Sequence, residues 1–190
     1  MIKSNLFVVI VPVLLSPLLL LIPSYTTGLD YDILSTALAQ TSAPTDTFEI
    51  DGQIASLILG MPPNTKTVDM STVPKFILSG DWGMHVSQGY LKDFSATFYT
   101  GPVNGAENHT HQLSNFRVND NAPIQLSPDT SVSLSGLMDV GTNGNTAWDN
   151  VNATVDISKG RSITITLADE ETQRHFMGQE IYGIVHKLKV

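Results

Sequence analysis

The sequence predicts an all-β protein, an antiparallel β-sandwich or barrel of about eight strands with at most one short helix. Three observations lead there. Apolar and polar residues alternate over short stretches, as half-buried strands require. Nowhere do apolar residues follow the i, i+3, i+4, i+7 spacing of an amphipathic helix over three turns. Turn dipeptides such as Asn104-Gly105, Asn143-Gly144 and Lys159-Gly160 fall between the alternating stretches, where hairpins need positive φ.

The elements follow in order. Phe48, Ile50, Gly52 and Ile54 alternate with polar neighbours and open the first strand. A long connection, Met61 to Pro74, contains three prolines and carries no period. Lys75 to Ser87 reads as a strand whose apolar face carries Phe76, Leu78, Trp82 and Met84. Tyr90 to Thr100 follows with Phe94, Ala96 and Phe98 on one face, then His109 to Val118. Val132 to Val140, Val151 to Ile157 and Ile163 to Leu167 alternate cleanly. In the last strand, Ile181 to Val190, the residues Tyr182, Ile184, His186, Leu188 and Val190 share a face, which this reading places on the core. Asp169 to Met177 is the one candidate for a helix, acidic at its start and basic toward its end as the helix dipole favours. A faint repeat relates Leu78-Ser79-Gly80 and its following strand to Leu134-Ser135-Gly136 and its own, and suggests two similar β-halves.

Before the β region, Leu6 to Ile22 is uncharged and follows Lys3, and Ala37-Leu38-Ala39 matches the small-x-small pattern of a signal-peptidase site. Residues 1–39 thus read as a secretory signal or as an N-terminal membrane anchor through 6–22, which is just long enough to span a bilayer. Residues 40–46 form a polar tether and 47–190 a single β domain. Either reading puts the domain outside the membrane, extracellular or at the cell surface, with membrane contact only through the N-terminal segment. About 150 residues then remain to build one core.

Charge and cysteine usage narrow the function. Ten Lys and Arg against eighteen Asp and Glu give a net charge of −8, and the cations are scattered, so no basic face for nucleic acid exists. There is no cysteine, which excludes disulfides, thiolate metal sites and cysteine nucleophiles together.

The strongest candidate for chemistry is Asn108-His109-Thr110-His111. On a strand the side chains at i and i+2 leave the same face, so His109 and His111 can chelate one ion. A third imidazole would complete a zinc or copper(II) site of nitrogen donors with one position open. Candidates for it are His85 and, less favourably, His186, which this reading makes a core residue; His175 ranks lower because it falls in the short helical segment. The cupin pattern also has H-x-H on a strand, but its following Glu is missing, since positions 115 and 116 are Asn and Phe. H-E-x-x-H, G-x-S-x-G and a phosphate-binding glycine loop are absent from the sequence. Gly80-Asp81-Trp82 resembles the G-x-W that opens lipocalin-like barrels, but the later cysteines and basic closure are missing, and Trp82 reads as a core aromatic. Asn108 and Asn152 both head N-x-[ST] sequons and are glycosylation candidates. Asp169-Glu170-Glu171 and Glu180 offer oxygens of the kind calcium takes.

A hydrophobic leader ending in ALAQTS, before a cysteine-free, acidic, Asn/Thr/Ser-rich β domain, resembles the small exported β proteins of ammonia-oxidising archaea, which have no assigned function. The resemblance implies placement outside the membrane near a surface layer, and transfers no functional residue. The expectation is an exported binding or surface-presented module without catalysis and without a cofactor. Two alternatives stay open: a zinc- or copper-binding protein or metal-dependent enzyme built on His109 and His111, and a structural cell-surface module.

Overall fold

A computed structural model describes residues 45–190, apart from 62–64, 66, 68, 106–107, 121 and 128. Residues 1–39, read as a secretory signal or a membrane anchor, lie outside the described residues. Eight antiparallel strands form a closed barrel in chain order: β1 (Phe48–Leu59), β2 (Lys75–Ser87), β3 (Tyr90–Pro102), β4 (His109–Val118), β5 (Ser131–Thr142), β6 (Asn145–Ser158), β7 (Ser162–Leu167) and β8 (Ile181–Lys189). Each strand pairs with the next, and β8 returns to pair with β1, so no edge is left open. The chain therefore makes a barrel and not a sandwich. No helix long and apolar enough to cross a membrane occurs among the described residues.

Alternation in the sequence becomes inside and outside of the barrel. Ile50, Ile54, Leu78, Met84, Phe94, Phe98, Leu113, Met138, Val155 and Ile165 are buried on the inner face, and they fill it as one packed core. Tight turns of two or three residues close three hairpins, each with two successive residues at positive φ: Gln88 (54°) and Gly89 (77°), Asn143 (50°) and Gly144 (79°), Lys159 (50°) and Gly160 (60°). Such turns match the right-handed twist of the strands they join. The repeated L-S-G segments lie on β2 and β5, three strands apart in a ring of eight, so they do not divide the barrel into equal halves.

The last strand corrects the sequence reading. Ile181 and Gly183 face inward, whereas Tyr182, Ile184, His186 and Leu188 are exposed. The reason is steric. A Cβ at Gly183 would lie 2.6 Å from the Gln53 carbonyl oxygen and 2.8 Å from Ile163 Cγ2, so the inner position admits no side chain. The face that looks less apolar in the sequence is the buried one.

One side chain that crosses a strand reinforces the closing β1–β8 pair. Trp82, on β2, donates from Nε1 to the Ile184 carbonyl of β8 at 3.2 Å. Strand β1 lies between them, and Gly52 makes room: a Cβ there would be 1.9 Å from the Ile184 carbonyl oxygen and 2.4 Å from Trp82 Nε1. The β1–β8 register shifts at Asp51/Gly52, where the indole passes.

Both ends are covered. The β4–β5 connection plugs one end with Ile124 and Leu126, tied by Ile124 N–H to the Gly89 carbonyl (2.8 Å) and a Thr45–Leu126 bridge. The β7–β8 connection crosses the other end as a run of turns. Positive φ at Gln173, Arg174, Met177 and Gly178 keeps it from becoming the helix that its charge pattern suggests. Gln179 fixes it to the end of β1, donating to the Leu59 carbonyl (2.6 Å) and accepting from Leu59 N–H (3.0 Å). Glu171 fixes it to β6, accepting from the backbone N–H and the side-chain amide of Asn152, both at 2.6 Å.

Replacing Gly52 with Ala pushes Trp82 from the Ile184 carbonyl and separates β1 from β8. Urea unfolding is expected to show a loss of about 3 kcal/mol, at the upper end of overpacking costs. A change within error would mean that closure does not depend on this passage.

Candidate metal centre

Three histidines meet at the end of the barrel covered by the β7–β8 connection. His109 and His111 open β4 and point inward, opposite Thr100 and Phe98 of β3. His175 comes from the connection. One nitrogen from each lies within 4.8 Å of the others. His175 Nε2 is 3.1 Å from His111 Nε2 and 3.4 Å from His109 Nε2. Nitrogens bound at about 2.0–2.1 Å to one tetrahedral ion stand about 3.3–3.4 Å apart, so the two spacings to His175 lie near those of ligands that share an ion.

His111 is completely buried. Its Nδ1 is 3.2 Å from the Gly141 carbonyl oxygen and 3.2 Å from Thr142 Oγ1. A carbonyl only accepts, so Nδ1 carries the proton and donates it, and Nε2 presents a lone pair toward His175. Such a partner fixes the tautomer and ring orientation of a ligating histidine. Phe98 and Phe176 hold the ring from two sides, with centroids 5.5 and 5.1 Å away. His175 is exposed at its outer edge, but its ring packs on Trp148 (5.3 Å) and Phe176 (5.2 Å). His109 is half-buried, its ring 4.7 Å from that of His111.

Burial disfavours charge here. Desolvation first, and then the neighbouring His175, push the His111 imidazole down to about 4, against the upward pull of the Gly141 carbonyl. Desolvation and then His109 also lower His175. His111 is therefore neutral near pH 7, the form that binds a metal.

The third histidine is His175, which the sequence reading ranked below His85 and His186. His85 points outward on β2, in register with Glu49 and Asp93, and His186 is exposed on β8. Neither joins the pair. The signal for His175 was Phe176, a large apolar residue inside a polar connection: it is buried against the core, and its anchoring sets His175 over the barrel. Trp148, Gly141 and Thr142 were also missed, since their role depends on the β5–β6 hairpin standing beside β4. The acidic residues do not converge. Glu170 binds Arg174 at 2.5 Å, Glu171 binds Asn152, and Glu180 accepts from Tyr182. Of the two sequon residues, Asn108 is exposed immediately before β4, and Asn152 faces outward with its amide bonded to Glu171.

The depressed His111 value has a sign that can be tested. The unfolded chain takes up the histidine proton near 6.5 and the fold resists it until about 4. This contribution is fully present above pH 6.5 and is lost as pH falls from 6.5 to 4. Chelator-treated protein should lose on the order of 3 kcal/mol across that window from His111 alone. Urea titrations of wild type and His111→Gln should show the variant with the flatter pH dependence; equal slopes would refute it.

Comparison of the chain with protein-family models, curated proteins and solved structures finds no match.

Proposed function

We propose that this protein binds a transition-metal ion, zinc or copper(II), through His109, His111 and His175, and does so outside the membrane. The observation that carries the reading is the meeting of three imidazoles, one of them buried with its tautomer fixed by the Gly141 carbonyl. An all-nitrogen donor set suits zinc and copper(II) alike. No carboxylate joins the cluster among the described residues, so a nearby proton acceptor for a metal-bound water is lacking. Binding without catalysis is therefore the favoured form of the reading. The leader before the barrel supports export, and the absence of cysteine suits a metal site of nitrogen ligands in an oxidising compartment.

The test is a melting curve of tag-free, chelator-treated protein with and without zinc or copper at pH 7.5, with elemental analysis of the dialysed protein. A hundredfold excess over the dissociation constant adds about 2.7 kcal/mol, or about 5–10 °C in a domain of this size. His109→Ala and His175→Ala should abolish the rise while leaving the metal-free melt nearly unchanged, because neither ring is fully buried. His85→Ala and His186→Ala should retain it. A wild-type melt unmoved by either metal would remove the reading.

A further inference from the structure

Beside the three histidines lies a cavity of about 310 Å³. His109 and His175 form one wall, and Ile58, Phe76, Leu78 and Phe176 form most of the rest. A volume of this kind is at the lower limit of small-molecule sites, and about twice that of an apolar cavity that accepts benzene. The fitting occupant is thus one ring with a short substituent.

Two features give the cavity a polar direction. Thr100 lies on its wall, and its hydroxyl is buried without a hydrogen-bond partner in the protein. A buried hydroxyl left unsatisfied is uncommon and invites a ligand atom. Thr100 is also in register with His109, so the hydroxyl and the metal-binding imidazole belong to one cross-strand pair. The cation on the wall, Arg174, is held by Glu170 at 2.5 Å, so it offers no free charge to a ligand. Three neutral imidazoles around a divalent ion, by contrast, leave its charge unbalanced in a partly desolvated site. That favours an anionic oxygen as the next ligand.

We propose that this cavity takes a small arene bearing one acidic oxygen group, with the oxygen directed to the ion and to the Thr100 hydroxyl and the ring held against Phe76 and Phe176. The proposal rests on the metal-binding reading, and gives that site a ligand class.

Full-length protein loaded with cobalt(II), a visible-spectrum stand-in for zinc, separates the two. Benzoate should change the cobalt spectrum saturably and bind at least about tenfold more tightly than acetate, which has the same head without the ring. Thr100→Val should weaken benzoate by about tenfold. It should leave cobalt affinity and metal-free stability unchanged, because the lost hydroxyl has no partner in the protein. Cobalt bound with benzoate no better than acetate, or with benzoate indifferent to Thr100→Val, would overturn the ligand assignment and leave the metal reading standing. Failure of cobalt to bind would overturn both.

Discussion

Closure of β8 onto β1 is the constraint on which the rest of the barrel depends. An eight-stranded meander that stopped short of closing would leave two rows of unpaired backbone groups and an unsealed core. Here the closing pair is short, running from Glu49 to Ile54 on β1. It is reinforced by a contact that skips a strand, the Trp82 indole on the Ile184 carbonyl. Two glycines make that possible from opposite sides. Gly52 leaves the passage for the indole, and Gly183 lets β8 approach Gln53 and Ile163. Their value is in the side chains that they lack, so a propensity argument would read both as weak points in their strands.

The position of the histidine cluster follows from the same closure. Because β8 pairs with β1, the chain leaving β7 has to cross the barrel end to reach it. That connection is fixed on both sides, at Asn152 by Glu171 and at Leu59 by Gln179, with Phe176 buried between. His175 sits one residue before that anchor, over the two histidines of β4. Rigid strands thus position two imidazoles and a tautomer-fixing carbonyl, and a pinned connection positions the third imidazole. A site arranged in this way needs little reorganisation to accept an ion.

Much of the architecture was legible because a barrel converts alternation directly into inside and outside. Phe94, Ala96 and Phe98, or Val151, Ala153 and Val155, declare their buried face without reference to any other strand. The failures share a cause: they depend on what stands opposite. On β8 the inner positions include Gly183, which is demanded by neighbours distant in sequence, while the exposed face carries Ile184 and Leu188. Counting apolar residues therefore selects the wrong face. The H-x-H pair was legible because two ligands on one strand are local information. His175 was not, because its position is set by the path of a connection. The charge pattern of Asp169 to Met177 suggested a helix, yet the tethers at its ends and the left-handed residues within it impose a different path.

The division of ligands between β4 and the β7–β8 connection also has a temporal side. An extended chain offers an ion only the His109/His111 pair; the third imidazole is 64 residues beyond His111 and arrives once the last strand has docked. Under the proposed reading, high affinity is a property of the completed barrel, and a chain still threading through a translocation channel would hold an ion weakly. The metal would be taken from wherever folding ends, so the compartment in which the barrel closes, more than the donor set alone, would determine which ion it acquires.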